Sequence, residues 1–315
     1  KTTTMNNSSD VTSVLSWESF NIPPGWVYPA FILGMLCYCI IVFCNLVILL
    51  TIGMEKHLHE PMYLLVFNLP INDLIGATAL FPALMREILL DSKSISYSAC
   101  VTQAFCIHIY ASGSVLILTA MAYDRYLAIC CPLRYRAIMT NAFLLKMIIL
   151  IWILNVTMII VLFLMVLRLP RCRSFVANTY CDNLSLVRLV CVDTSANNIY
   201  GLCITFFLQV SSIGVVIFTY LQILFTCLNN KQSDAKSKAI QTCATHLVTF
   251  IILEVTGFLT IISYRFESFS PQVKKICAVF GLIFPPTLNP IIYGLKIKEI
   301  RNKIPLFFTR KVASF

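Results

Sequence analysis

The stretch VYPAFILGMLCYCIIVFCNLVILLTI, residues 27–52, decides the fold, because it runs for 26 residues without a formal charge. About 20 mostly apolar residues, wound as an α-helix, cross the ~30 Å hydrocarbon core of a bilayer. Backbone that faces lipid must satisfy its hydrogen bonds internally, which a helix does. The stretch therefore predicts a membrane-spanning helix.

Six further apolar stretches of similar length follow along the chain. With the first, they occupy residues 27–52, 61–85, 100–128, 143–167, 198–228, 241–264 and 273–296, and are numbered spans one to seven. The 315 residues are 58% hydrophobic and 12% charged, whereas soluble domains carry about 25% charged residues. We expect an all-α membrane protein, a seven-transmembrane helix bundle over residues 27–296, preceded by an extracellular tail of residues 1–26.

A basic segment, KIKEIRNKIPLFF, follows span seven at residues 296–308. Ile297, Ile300 and Ile304 recur there at helical spacing, which predicts a short C-terminal amphipathic helix on the membrane surface within residues 297–315, with a cytoplasmic tail. The net charge of +10 lies mostly in short loops and this tail. Anionic membrane lipid and a cytoplasmic protein are therefore favoured as partners over nucleic acid.

Charge and sequons together place the N-terminus outside the cell. In that orientation more than half of the 24 Lys and Arg residues are cytoplasmic, although four arginines lie in the outer loop of residues 168–197. Asn6, Asn7 and Asn183 each begin an N-x-S glycosylation sequon on the proposed outer side. We predict a multi-pass plasma-membrane protein, glycosylated at these three positions.

Most of the 14 cysteines lie within spans, where a thiol packs as a small apolar group. Cys100, Cys172, Cys181 and Cys191 instead lie on the proposed outer side. An oxidising exterior favours bridging them, and four cysteines allow three pairings.

Three spans carry polar groups in conspicuous places. Span three ends in MAYDRYLAICCPLRY, residues 121–135, with Asp124 and Arg125 where the helix leaves the membrane. These two form either a plain interfacial pair or a switch whose arginine reaches a partner protein when the bundle opens. PTLNPIIYGL in span seven predicts a kink at its second proline. Asp73 in span two is an intramembrane acid, which by default indicates function.

With LHEPMYLL (58–65) and KAIQTCATH (238–246), these stretches resemble the olfactory (odorant) receptor family of rhodopsin-like, class A G-protein-coupled receptors. The outer loop and the YRF at residues 264–266 are similar to the fish-like class I subgroup. The resemblance implies a receptor, not an enzyme, in the cilia of sensory neurons. It would bind a small-molecule odorant and activate a stimulatory (olfactory) heterotrimeric G protein.

The resemblance also implies roles residue by residue. It implies the disulfides Cys100–Cys181 and Cys172–Cys191. The residues implied in G-protein coupling or switching are Asp124, Arg125, Tyr126, Tyr220, Lys238, His246, Asn289, Pro290 and Tyr293.

A structural sodium ion is the only cofactor that the resemblance suggests. Asp73, Asn45 and Asn289 match the polar centre that binds sodium in many receptors of this class. Ser114 replaces a glutamate common in odorant receptors, which leaves sodium binding open.

Glu254 and Arg265 interrupt ILEVTGFLTIISYRF, residues 252–266. Eleven residues separate them, so they lie about 16 Å apart on nearly one helix face, with Arg265 at the outer mouth. Arg265 either reaches lipid headgroups or, as the resemblance implies, binds an acidic ligand group with its guanidinium fork. Glu254 is either a buried hydrogen-bonding group or the counter-charge of an amine.

Span three supplies the opposite wall of the expected ligand site. His108 lies about 12 Å below Cys100, where it either contacts ligand or makes an interhelical hydrogen bond. We expect a small, water-soluble organic acid whose carboxylate meets Arg265 and His108. The other residues expected to line the site are Glu254, Phe258, Ile261, Gly201, Thr205 and Leu184.

Other function classes fit less well. A transporter would show internal repeats, and none is visible. An intramembrane hydrolase would need His108 and Ser114 on one helix face, but six residues place them on roughly opposite faces. Among receptors, the alternatives are a non-olfactory class A receptor for an acidic lipid or peptide, and an amine or amino-acid odorant receptor that uses Glu254.

Overall fold

The computed structural model describes residues 13–17, 22–90, 93–178, 180–229, 233–265, 269–297 and 299–304, and only the backbone of helical residues 233–242, 264, 265 and 271. Its elements in chain order are β1 (Val14–Trp17), α1 (Val27–Met54), α2 (Pro61–Leu90), β2 (Ser94–Ser96), α3 (Tyr97–Cys130), α4 (Pro132–Ile138), α5 (Asn141–Leu167), β3 (Phe175–Val176), α6 (Asn183–Val187), α7 (Ser195–Asn229), α8 (Ser233–Arg265) and α9 (Pro271–Lys296). Seven of these described helices are long and apolar enough to cross a membrane. They are α1, α2, α3, α5, α7, α8 and α9, which confirm spans one to seven in order.

Local sequence fixes where several helices begin. Ser96 accepts a hydrogen bond from the Ala99 N–H at 3.2 Å before span three, and Thr140 accepts one from the Phe143 N–H at 3.2 Å before span four. Such caps satisfy N–H groups that have no partner in the first helical turn. Six of the seven spans start within three residues of the bounds predicted from hydropathy, whereas the helix of span six begins at Ser233, eight residues before its predicted bound.

Spans two and three form the centre of the bundle. In their most apolar windows 61% and 67% of the residues are buried, against 17% in span five. Leu65, Leu69 and Leu118 pack in an apolar cluster in the inner half of the bundle. Span five instead exposes large side chains such as Phe206, as a helix bordering lipid does.

A small β-sheet covers part of the outer side, which the all-α prediction missed. Strand β1 lies in the middle, antiparallel to β2 and parallel to β3. Alternate residues of a strand face opposite sides, and Leu15 and Trp17 face inward with 0% and 2% exposure. They join an outer apolar cluster with Phe163 and Leu186. Part of the predicted N-terminal tail is thus packed onto the bundle.

The predicted C-terminal helix is present at residues 299–304. Ile300 is fully buried against the inner apolar cluster, and the Lys303 ammonium lies 3.2 Å from the Glu55 carboxylate of the first inner loop. These contacts hold the helix beside the inner ends of spans one and two. Residues 305–315 lie outside the described chain.

Candidate functional site

Two disulfides fix the long outer loop above the bundle. Cys100–Cys181 ties the loop to the first turn of span three, with a Cα–Cα distance of 5.3 Å, and Cys172–Cys191 closes the loop on itself at 5.8 Å. The buried Gln103 side chain also accepts from the Cys181 N–H at 2.8 Å. The two predicted pairings are therefore confirmed, and they fix the position of Asp182, which follows Cys181.

His108 lies beneath this loop with its ring orientation fixed. Its Nδ1 is 2.8 Å from the Ala104 carbonyl oxygen, which can only accept, so Nδ1 carries the hydrogen. The ring meets Phe163 edge-on at a centroid distance of 5.6 Å, and Asp182 lies within electrostatic range. Among the described residues Nε2 has no hydrogen-bond partner, so that nitrogen remains for a ligand.

Glu254 faces span five from span six. Ser212 Oγ donates to its Oε1 at 3.4 Å, and the Gln209 amide, with its nitrogen turned towards the acid, donates to both carboxylate oxygens. Ser212 is 2% exposed, so the group is shielded. Partners inside the bundle offset the cost of burying a carboxylate, and this arrangement favours the hydrogen-bonding role over a counter-charge for an amine.

For the other residues predicted to line the ligand site, the structure shows only individual contacts and exposure. Thr205 Oγ1 donates to the Gly201 carbonyl at 2.7 Å, and a Cβ on Gly201 would lie 3.4 Å from Leu162 of span four. Phe258 is 61% exposed. Ile261 and Leu184 are half-buried. Their ligand contacts stay predictions.

At the inner end of span three, Asp124 and Arg125 form an ion pair, and their role as a switch stays a prediction. Arg125 Nη2 lies 2.5 Å from a carboxylate oxygen of Asp124, which is 0% exposed. The Tyr135 hydroxyl donates to the other oxygen at 2.8 Å. Burial and the nearby Asp124 carboxylate raise the pKa of Tyr135, so this phenol remains a donor at neutral pH. The tyrosine thus helps to keep the acid in place beside the arginine.

A second polar contact joins the inner ends of spans five and six. The Tyr220 hydroxyl donates to the Cys243 carbonyl at 3.0 Å and lies 2.7 Å from His246 Nδ1, with the two rings stacked. A phenol has one hydrogen, so the imidazole donates to it. These three residues are called the inner latch.

An apolar cleft of about 420 Å³ lies along the same seam. Its walls are almost entirely carbon and sulfur, and spans five and six touch along little of their length. The residues lining the cleft are Val216, Ile217, Tyr220, Leu221, Ile223, Leu224, Cys227, Cys243, Ala244 and Leu247. Among the described residues, the side-chain hydrogen bonds between these two spans are those of the inner latch and of Glu254.

Of the residues predicted to hold sodium, Asp73 and Asn289 are in direct contact. The Asn289 amide donates to both oxygens of this fully buried carboxylate, at 3.2 and 3.0 Å. Asn45 donates to the carbonyls of Ile41 and Pro286, while its buried Oδ1 has no hydrogen-bond partner within the described residues. A carboxylate and an orphan amide oxygen are ligands that hard cations prefer. The residues therefore fit a sodium ion.

Ser114 belongs to a polar network that the sequence did not reveal. It accepts from Asn72 at 2.8 Å, while Ser112 donates to Asn155 at 2.5 Å. A Cβ on Gly113 would lie 2.4 Å from the Asn72 side chain and 2.9 Å from that of Asn155, so only glycine lets the amides approach. The network links spans two, three and four.

A family model described as "Olfactory receptor" matches residues 34–311. The chain belongs to the olfactory receptor family. Human olfactory receptor 52N2 is 34% identical over 281 residues, which are 88% of each chain. Human olfactory receptor 52N5 is 36% identical over 279 residues, covering 87% of this chain and 86% of that protein. The crystal structure of squid rhodopsin aligns with a TM-score of 0.71 and 17% identity over 92% of this chain and 87% of its own, which shows the fold alone.

Family and fold together confirm several predictions for this olfactory receptor. It is a G-protein-coupled receptor whose fold resembles that of rhodopsin, a multi-pass protein of the plasma membrane, and a signalling receptor rather than an enzyme. It takes a small-molecule ligand and couples to a G protein, as its family implies.

Some predicted residues of the receptor fall outside what the structure describes. These are Asn6 and Asn7 entirely, and the side chains of Lys238 and Arg265. Span six does end at Arg265, so its backbone lies at the outer end. Asn183 donates to Asn197 at 3.0 Å, and its glycosylation stays a prediction.

The other predicted switch residues lie within the described spans. Tyr126 packs near the Phe218 ring at a centroid distance of 5.8 Å, and Tyr293 is 3% exposed in span seven, which carries Pro290 inside the helix. Their part in coupling stays a prediction.

Proposed function

We propose that this receptor detects a small, water-soluble odorant bearing an acidic group, bound between the outer halves of spans three, five and six. The observation that carries the proposal is His108, which lies beneath a loop held by Cys100–Cys181 and whose Nε2 is, among the described residues, an unused hydrogen-bond acceptor. Ligand sites of bundles are mostly apolar with a few placed polar groups, and Phe163 beside the imidazole suits that composition.

Arg265 is the reason for assigning an acid. Span six ends at this residue, and Glu254 lies roughly 16 Å deeper by helical rise, too far to neutralise it. In an apolar site a guanidinium binds a carboxylate through two parallel hydrogen bonds. The carboxylate of an acidic odorant would thus meet the arginine at the mouth, while His108 on the opposite wall, with its ring hydrogen on Nδ1, would use Nε2 to accept a hydrogen bond from a hydroxyl group of the odorant.

Binding must favour one of two bundle arrangements for a signal to pass. The odorant draws the outer ends of spans three, five and six together. The inner end of span six then moves away, the inner latch opens, and Arg125 leaves Asp124. The cavity so formed admits a stimulatory (olfactory) G protein, for which the basic inner loops suit an acidic surface.

The same proposal fixes orientation and place. The N-terminus is extracellular, because both disulfides and strand β1 lie at one end of the bundle and disulfides persist in oxidising surroundings. The family relation supports location in the cilia of sensory neurons. A sodium ion at Asp73, Asn45 and Asn289, with Ser114 at the edge of the set, would stabilise the resting bundle.

A cyclic-AMP assay in transfected cells tests the ligand class. The probes are a carboxylic acid, its methyl ester, the amine and the amino acid, all of one chain length. We expect responses to acids alone, lost in Arg265→Ala and partly kept in Arg265→Lys at equal surface expression. Arg173→Ala, which removes an outer arginine elsewhere, is the matched control. Equal responses to acid and ester would refute an acidic ligand, and a loss confined to amines in Glu254→Gln would assign the amine alternative instead.

A further inference from the structure

Four arginines of the long outer loop take no part in the ligand site or the switch. They are Arg168, Arg171, Arg173 and Arg188, and residues 168–197 contain no lysine. Basic residues are normally concentrated on the cytoplasmic side, so membrane topology does not account for this group. Residues 168–173 and 188–191, which carry them, are called the arginine hairpin.

The arginine hairpin has a fixed shape. Cys172 and Cys191 are bridged across it. The backbone N–H groups of Cys172 and Arg173 both donate to the Leu189 carbonyl, at 3.0 and 3.2 Å, and Arg171 forms an antiparallel bridge with the facing chain. Two residues apart on an extended segment, Arg171 and Arg173 start from one face about 7 Å apart. The positive charges are thus presented at set intervals.

Within the described residues, the guanidinium groups have no carboxylate partner. Arg168, Arg173 and Arg188 are exposed, and the Arg171 guanidinium lies 3.6 Å from the centre of the Tyr97 ring, which holds it in place. Across the described part of the chain, none of the four lies within ion-pair distance of a carboxylate. The hairpin therefore offers free donors to the exterior.

The two acids of the same loop are already engaged. One oxygen of Asp182 accepts from the N–H and hydroxyl of Ser185, at 2.7 and 2.5 Å. Asp193 accepts from the N–H and hydroxyl of Ser195, at 2.9 and 2.6 Å, and these hydrogen bonds lower its pKa. Neither acid neutralises the arginines, so the local charge is available to an external anion.

We propose that the arginine hairpin is a docking surface for a sulfated polysaccharide chain in the extracellular space. The planar guanidinium fork matches oxyanions such as sulfate, which explains arginine in place of lysine. Sulfate groups recur along such a chain, so one chain can meet more than one of the arginines. Arg171 and Arg173 lie on extended loop segments, Arg188 ends the short loop helix α6, and only Arg168 directly follows a membrane-spanning helix, which favours a soluble chain over lipid headgroups.

Binding of fluorescent heparin to intact cells tests this surface, because only the outer face is then accessible. Cells treated with chlorate, which removes sulfate from their own glycans, display the epitope-tagged receptor. The test variant replaces the three exposed arginines with glutamine and leaves Arg171 on Tyr97. The matched control removes the same charge elsewhere on the outer side, at Lys93, Lys274 and Lys275.

Exposed ion pairs are individually weak, so losing three predicts roughly a tenfold fall in apparent heparin affinity, against less than about twofold in the control. Exchanging the three arginines for lysine keeps the charge and predicts a loss of about threefold. An unchanged odorant response shows that the variants are folded. The proposal would be overturned if heparin did not bind, or if both triple variants lost affinity equally. It would also be overturned if, in a parallel assay, the purified receptor bound phosphatidylserine vesicles through these arginines but did not bind heparin.

Discussion

Replacing Trp17 with alanine should release strand β1 from the outer face of the receptor. The Trp17 side chain is 2% exposed and that of Leu15 is 0% exposed, so both belong to the outer apolar cluster. Truncating a buried tryptophan to alanine costs roughly 3–5 kcal/mol. The strand has only four residues, and although its pairing with β2 and β3 and the burial of Leu15 remain, a loss of this size leaves it undocked for a far larger share of the time.

Hydrogen exchange measured by mass spectrometry on the purified receptor reports this opening. The Tyr97 N–H donates to the Ser13 carbonyl at 2.8 Å, and the residue 17 N–H donates to the Lys93 carbonyl at 3.0 Å. Both amides exchange with solvent when the strand leaves the bundle. At 1.4 kcal/mol per factor of ten, a loss of about 3 kcal/mol speeds their exchange by roughly 100-fold.

Val14→Ala on the same strand is the control, since Val14 is 51% exposed. A surface change of this kind is worth within about 0.5 kcal/mol, or roughly a twofold change in exchange. Similar exchange at residues 13–17 and 94–97 in the two variants would show that the tryptophan does not hold the strand, and the reasoning from burial would fail.

Three further outcomes are expected. Gly113→Ala should lower the melting temperature through a loss of about 1–3 kcal/mol in stability, because the added Cβ would collide with Asn72. Gly214→Ala is the control, since its Cβ would meet nothing within 4 Å. Equal melting temperatures of the two variants in a thiol-dye assay would contradict this prediction. Tyr220→Phe removes the hydroxyl of the inner latch and should raise basal cyclic AMP per surface receptor by roughly fivefold, the value of about 1 kcal/mol; unchanged basal signalling would argue against the latch. Asp73→Asn should abolish any sodium dependence of odorant potency, and a response to sodium that survives would move the ion elsewhere.

The seven spans were predictable because lipid leaves the chain almost no choice. Hydrocarbon cannot satisfy a bare peptide group, so hydropathy alone locates the helices. The sequence did not predict the sheet, because β1 has four residues, too few for a periodic pattern, and its partner strands lie about 80 and 160 residues away in sequence. Pairing over such distances depends on how the helices bring loops together, which composition does not encode.

In the candidate site, too, some contacts could be predicted from the sequence and others could not. Asp124 and Arg125 are neighbours in sequence, so their pairing was open to inference from the chain, whereas the disulfide pairings needed the family resemblance. The partners of Glu254 in span five, and the contact of Gly113 with two other helices, depend on how each helix is rotated about its axis. Apolar residues surround these spans on nearly every side, so the hydrophobic pattern does not set that rotation.

The apolar cleft between spans five and six has a consequence for how easily the receptor fires. A seam of carbon and sulfur contains no directional bond to break, and acyl chains can refill it as the helices part. Among the described residues, the directional bonds that must break for these two spans to part are the hydrogen bonds at Glu254 and at Tyr220. A hydroxyl lost at Tyr220, away from the expected ligand site, would reset the threshold of the sensor while leaving its odorant preference alone.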